Sequence, residues 1–210
     1  MKFRPISRLL RQIYALRPQI VILNTYRLRI DHEIDLLTRI DDCFYIRGLD
    51  INDATYLEQA YSGRSKGYYK RNGLPRLSDP RWLGLAVFDV NTDRIAYVAW
   101  IIQKTVSYLE DINLVLGDNQ RFVKDGYCVP EYRHRGLHTR MEHERINRCV
   151  RDGAKEIFIQ IAADNPKGIK SVTENGYEYY QTNKYLVITG LGVYREIKAF
   201  CRSKNLFGRR

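Results

Sequence analysis

The stretch KEIFIQIA, residues 155–162, is apolar almost without a break. A strand with one face in water alternates apolar and polar residues, so a near-continuous run marks a strand buried on both faces. It belongs near the middle of a sheet that helices cover on either side. Gly153, just before it, stands where a helix C-terminus favours glycine, closing a helical stretch over 136–152. Asp164 or Asn165, just after it, caps a further helix through Glu174, which Asn175-Gly176 ends.

The rest of the chain reads around that centre. GLAVFDV and RIAYVAWIIQ flank Asn91-Thr92-Asp93 and form a hairpin. RFVKDGYCV, residues 121–129, is another strand, and so is CFYIRGL, 43–49, after which Asn52 or Asp53 caps a helix through Ala60. The last strands are YEYYQTNKYLVI and VYREIKAF. Upstream, SRLLRQIYAL spaces Leu9, Ile13 and Leu16 for a short amphipathic helix with a basic face. IVILNTYRLRI, 20–30, reads as a strand or two, and 31–41 as a short helix. The expected class is α/β (α+β): a mixed, mostly antiparallel central sheet of six to seven strands, with helices on both faces.

The 210 residues include 16 Tyr and 7 Phe, too aromatic for a disordered chain and enough for one good core. The net charge of +11 is uneven. Residues 1–30 carry +7 and residues 193–210 carry +5, which leaves the middle at −1. Nucleic-acid groove readers more often carry such charge on the folded core. The basic ends suit a polyanion, RNA or an anionic membrane surface, or simply solubility. No apolar run reaches membrane-span length, and the basic start lacks the uninterrupted apolar core of a signal peptide. Cys43, Cys128, Cys149 and Cys201 are scattered, as reduced thiols of a cytoplasmic protein would be. His134, His138 and His143 lack a metal-ligand spacing.

VPEYRHRGLHTRM, residues 129–141, joins the strand 121–129 to the helix 136–152. The first amides of such a helix have no intrahelical partner, and the helix dipole adds positive character there. Gly136 allows close approach to the backbone, and Arg133 and Arg135 add charge, so the turn suits an anion. The spacing is neither that of a Walker loop nor that of a dinucleotide-binding turn.

VPEYRHRGLH resembles the acyl-CoA signature of the GNAT superfamily of N-acetyltransferases, with Arg133, Gly136 and His138 at its three positions. NPKGIKSVTENGY resembles the second segment of that family through Asn165, Gly176 and Tyr177, and the strand 155–162 lies between the two. The resemblance covers residues 43–200. It implies one acyltransferase domain there, a basic N-terminal extension over 1–42 packed on the core, and a basic tail over 201–210. Leading segments of this kind occur in bacterial relatives. The resemblance also implies a sheet splayed between the strand before the turn and the strand 155–162, with acetyl-CoA as co-substrate in the cleft. Arg133, His134, Arg135, Gly136, Leu137, His138 and Thr139 would meet its pyrophosphate. The backbone around Cys128 and Val129 would pair with its arm and polarise the thioester. Asn165 would touch the arm, or serve only as a helix cap.

The family usually has Gly or Ala where this chain has His138, and many members have a general-acid tyrosine where it has Val172. Glu142 and Arg145 stand where relatives often have apolar residues. The implied reaction is attack of an amine on the thioester, which needs a base or a water relay. Asp125 is the candidate base and Tyr127 a candidate acid or wall, while Tyr179 and Tyr180 are further aromatics after the second segment. Trp82 and Trp100 read as core or as substrate wall. The acceptor is expected to be a small amine such as an amino sugar or amino acid. The alternatives are a macromolecule, namely a protein or an aminoacyl-tRNA, and a non-catalytic acyl-CoA-binding protein. A homodimer is compatible with all of them.

Overall fold

The computed structural model of the chain describes residues 18–31, 36, 42–188 and 193–196. The basic helix expected over 7–16, most of the helix expected over 31–41 and the basic tail lie outside the described residues. The strands are β1 (Pro18–Arg29), β2 (Phe44–Leu49), β3 (Trp82–Asp89), β4 (Arg94–Ile102), β5 (Gln120–Cys128), β6 (Glu156–Ala162), β7 (Glu178–Ile188) and β8 (Val193–Glu196). The helices are α1 (Ala54–Ala60), α2 (Leu74–Ser78), α3 (Ser107–Asp111), α4 (Leu137–Arg151) and α5 (Pro166–Glu174).

All eight strands form one sheet in the order β2-β3-β4-β5-β6-β1-β7-β8. Every neighbouring pair is antiparallel except β5 and β6. The sheet is thus mixed, mostly antiparallel and helix-covered, as expected, but one strand wider than six to seven. The additional member is β1. It lies between β6 and β7 and is paired along both edges, Tyr26 with Ile159 on one side and Tyr179 on the other. Residues 18–29 are therefore an interior strand of the sheet. Their β-branched and aromatic residues suit that place: Tyr26 and Leu28 are buried, and the fully buried Thr25 hydroxyl accepts from Gln160 Nε2 at 3.4 Å.

The two faces of the sheet have separate cores. On one, α4 sets Leu137, Met141, Ile146 and Cys149 against Val87, Tyr97, Val123 and Ile157, and α5 adds Val172. On the other, Leu57 and Ala60 of α1 and the following Tyr61 pack on Phe88, Val98 and Trp100. A third cluster, with Leu109 and Ile112 around α3, covers Phe122 and Phe158. Trp100 is fully buried and donates to Tyr61 Oη at 3.0 Å, so it is core.

Neither Asn52 nor Asp53 caps α1 through its side chain. Asp50 caps the turn 51–53, and Asp53 is held by Arg47 at 2.8 and 2.6 Å. That pairing, helped by the Asp50 amide, keeps the Asp53 carboxyl below its usual range. The helical turns over 61–78 and α3 were not foreseen. They are too short to show a periodic apolar face.

Candidate functional site

The parallel pairing of β5 and β6 runs only from Gln120↔Glu156 to Val123↔Ile159. Beyond it the strands part. The cause is visible on the β4 side of β5: Trp100 pairs with Lys124 but Val98 pairs with Tyr127, so Asp125 and Gly126 share the place opposite Ala99. Asp125 takes φ 51°, the left-handed residue of this bulge. Gly126 is required by a close approach, because a Cβ there would lie 2.3 Å from the Tyr97 hydroxyl.

The gap between β5 and β6 is a cavity of about 390 Å³ bounded by Lys124, Asp125, His138, Gln160, Asn165 and Val172 among others. The turn 129–136 ends beside it. Gly136 is the residue before α4, at φ 72°, with open space where a side chain would stand. No side chain caps α4, so the amides of Leu137, His138 and Thr139 have no intrahelical acceptor. Arg133, His134 and Arg135 are exposed around that end, and Leu137 is buried and anchors it.

His138 is more than half exposed, but one ring nitrogen reaches back to the sheet. Its Nδ1 lies 2.7 Å from Tyr97 Oη and 3.9 Å from Glu142. Desolvation by its neighbours and the nearby Arg145 charge lower its pKa. Glu142 and Arg145, which break the apolar face of α4, form a buried ion pair with each other. Arg145 also donates to the Lys124 carbonyl at 3.4 Å, bracing β5 where it leaves β6. The pair lies one turn apart on α4, and the sequence does not show that it is buried; the Tyr97–His138 contact was not legible because its partners meet only across the fold.

Asn165 caps α5, accepting from the Gly168 amide at 3.0 Å, and also borders the cleft. Val172 borders it as well, on α5, with no phenol at that position. Val129 N–H bonds to the Ala96 carbonyl at 3.0 Å, inside the sheet, so it is not available to a thioester. The alternation of a strand then turns the Cys128 amide toward the cleft edge. Tyr127 is placed away from the cleft: it is buried against Tyr61, and its hydroxyl has no partner. Tyr179 and Tyr180 sit on β7, beyond β1. Tyr179 is exposed, and Tyr180 packs edge-on to Phe158.

A second, larger cavity of about 800 Å³ lies on the opposite face, roofed by the turns 61–78 and walled by Trp82 and Tyr108. Lys124 and Asp125 border both cavities. Asp125 forms an ion pair with Arg76 Nη2 at 2.6 Å and accepts from Tyr68 Oη at 3.5 Å. Burial alone would raise its pKa, but the charges of Lys124 and Arg76 prevail and hold the carboxyl below its usual range. Lys124 Nζ lies 3.3 Å from the Tyr108 ring centre, and burial lowers its pKa to about 8. Sequence reasoning passed over this lysine, because nothing in FVKDG shows that it is desolvated.

Among the described residues, no three His, Cys, Asp or Glu side chains gather as a metal site, and no helix is long and apolar enough to cross a membrane.

No family model and no curated protein sequence matches the chain. Solved structures do. A GNAT-family protein from Novosphingobium aromaticivorans superposes with a TM-score of 0.57 at 17% identity, over 81% of this chain and 65% of its own. A tandem GNAT protein from the clavulanic acid biosynthesis pathway gives 0.60 at 13%, over 86% and 57%. An N-acetyltransferase from Sphaerobacter thermophilus gives 0.54 at 16%, over 84% and 53%. The chain thus spans between about half and two thirds of the length of these structures. At these identities the likeness is one of fold: the chain has the fold of the GNAT N-acetyltransferases.

Proposed function

We propose that the protein transfers an acetyl group from acetyl-CoA to the amine of a small molecule such as an amino sugar or amino acid. The observation that carries this reading is the opening between β5 and β6 beside an uncapped helix N-terminus. That combination offers an elongated, anion-ended acyl carrier both parts of what it needs. The cleft accepts the arm, and the Leu137, His138 and Thr139 amides with Arg133 and Arg135 accept the pyrophosphate. The fit is supported by Gly136, where nothing crowds the backbone. It is also supported by His138, whose ring is held by Tyr97 and so leaves its amide free to donate.

In this reading the acceptor enters from the larger cavity, and the two substrates meet at the bulge. The amine nitrogen attacks the thioester carbonyl, a C–N bond forms, and the C–S bond breaks as the thiolate leaves. The Cys128 amide is the donor best placed to stabilise the developing oxyanion. The amine must also lose a proton. Asp125 is held by Arg76 and is a weak base. Lys124, lowered to about 8, matches the task better near neutral pH and borders both cavities. A thiol's ordinary pKa of about 8.5 makes the thiolate a tolerable leaving group, so valine at 172 is compatible with turnover.

The test is acetyl-CoA binding followed by thiol release. Saturating acetyl-CoA should raise the melting temperature by mass action, and an amine panel should release thiol. Gly136→Val should abolish the shift, because a β-branched residue at positive φ distorts the turn and fills its mouth. An unchanged melting temperature with saturating CoA and acetyl-CoA would overturn the reading.

A further inference from the structure

The larger cavity carries a charge pattern that its place in an acetyltransferase fold does not require. Four cations border it, Arg64, Arg71, Arg76 and Lys124, against two carboxylates, Asp79 and Asp125. Both carboxylates are already paired: Asp125 with Arg76 at 2.6 Å, and Asp79 with Arg81, which lies outside the lining, at 2.7 Å. Arg64, Arg71 and Lys124 have no carboxylate within ion-pair distance among the described residues.

Arg64 and Arg71 are held in place by groups that do not pair with their charge, and Arg76 keeps one edge unpaired. The Arg64 guanidinium lies over the Tyr68 ring at 4.1 Å and the Tyr127 ring at 4.9 Å. Arg71 donates to the Lys66 carbonyl at 3.0 Å. Arg76 is more than nine-tenths buried, stacks on Trp82 at 4.5 Å, and has its Nη1 without a partner. A buried guanidinium nitrogen left unbonded is costly unless something else completes it. A planar guanidinium fixed by rings is also pre-organised for an oxyanion, since little side-chain freedom remains to be lost on binding.

We propose that the acceptor is an amine that also carries an oxyanion, a carboxylate or a phosphate, and that Arg64 and Arg71, with the free edge of Arg76, bind that group. This rests on the acetyltransferase reading for the identity of the reaction, but the oxyanion site itself can be tested by binding alone. The same excess of positive charge favours the free amine over its ammonium, which the attack on a thioester requires. Polycationic amines are disfavoured by the same field.

The experiment uses matched probes on the intact chain: glucosamine 6-phosphate against glucosamine, and leucine against leucinamide. Calorimetric titration in the presence of CoA and steady-state thiol release are both read. The anionic member of at least one pair should bind about tenfold tighter and show a correspondingly lower KM. Preference in one pair and not in the other identifies phosphate or carboxylate as the source. Arg64→Gln and Arg71→Gln should each raise KM for the anionic acceptor by about tenfold, with the KM for acetyl-CoA and the turnover of the neutral analogue unchanged. Arg64→Lys should restore part of the loss, which a merely structural arginine would not. Equal binding of both members of both pairs, or a preference for the neutral ones, overturns the inference while leaving acetyl transfer standing. Anion-selective binding without thiol release from any acceptor overturns acetyl transfer and leaves the oxyanion site standing.

Discussion

On the α4 flank of β5, the buried charges meet each other: Glu142 pairs with Arg145, and Arg145 in turn braces the Lys124 carbonyl. On the flank covered by α1 and α2, Arg64, Arg71 and Lys124 meet rings and a carbonyl instead. The first arrangement is self-contained and supports the strand. The second leaves charge unanswered beside open space. The difference separates charge that belongs to the fold from charge that waits for a ligand, although both kinds sit within a few residues of the same bulge.

The comparison is broken most sharply at the self-contained pair. Arg145→Ala or Glu142→Ala should each destabilise the protein by about 3–5 kcal/mol, because the remaining charge is left buried and alone. The double variant Glu142→Leu/Arg145→Met should recover most of that loss, since well-packed apolar residues often replace a buried pair without cost. Urea unfolding measures all three. Single variants that lose less than about 1 kcal/mol would show that the pair is hydrated and that the two flanks do not differ.

The ligand-side flank is probed next by Lys124→Met. If Lys124 takes the amine's proton, kcat should fall roughly a hundredfold with acetyl-CoA binding intact, while Asp125→Asn should fall by less. The wild-type kcat/KM should climb with pH and level off above about 8, where the Lys124 amine is free. A larger loss from Asp125→Asn than from Lys124→Met would return the role to the carboxylate.

The flanks were unequally legible from the sequence. The strand 156–162, the helix that begins after Gly136 and the caps at Asn165 and Gly153 are local patterns, and the α4 side of the cleft follows from them. The interior place of β1 is not local: IVILNTYRLRI announces a strand but not its neighbours, and partners as distant as Arg29 and Glu156 or Arg27 and Glu178 leave no mark in the spacing. The larger cavity was hidden for the same reason. Its roof, 61–78, is short irregular helix, and the ion pair that weakens Asp125 as a base joins it to Arg76, 49 positions earlier. Sequence shows which residues carry charge, whereas desolvation and pairing decide what that charge does.

The bulge can be tested by closing it. Gly126→Ala puts a Cβ 2.3 Å from the Tyr97 hydroxyl, which is itself held by His138. Tyr97 must move or the strand must straighten, at a cost of about 1–3 kcal/mol. The melting temperature should fall, and the shift caused by acetyl-CoA should shrink with it if the bulge keeps β5 apart from β6. A stable Gly126→Ala protein with an undiminished shift would mean that the splay has another cause.

The smallest effect is a slope. Lys124 titrates near 8 in the folded chain and near its ordinary value, about 10.4, once unfolded. Below pH 8 both states hold the proton, and folding carries the whole cost of a buried ammonium. Between about 8 and 10 the unfolded state binds more protons than the folded one, so stability rises with pH. The rise from this one group is at most about 1.4 kcal/mol per pH unit. Other groups titrate in the same window, so the quantity to follow is the difference in unfolding free energy between wild type and Lys124→Met, measured from pH 7 to 10. That difference should move in favour of wild type as pH climbs past 8. On the α4 flank, Cys149 is pushed up to about 12 by burial; its unfolded form loses a proton first, so its contribution declines with pH across this range. Because Cys149 is present in both proteins, it cancels in the difference. A flat difference would show that the Lys124 ammonium is well solvated, which removes it as a base near neutral pH and leaves it as a further cation beside Arg64, Arg71 and Arg76 for the acceptor's oxyanion.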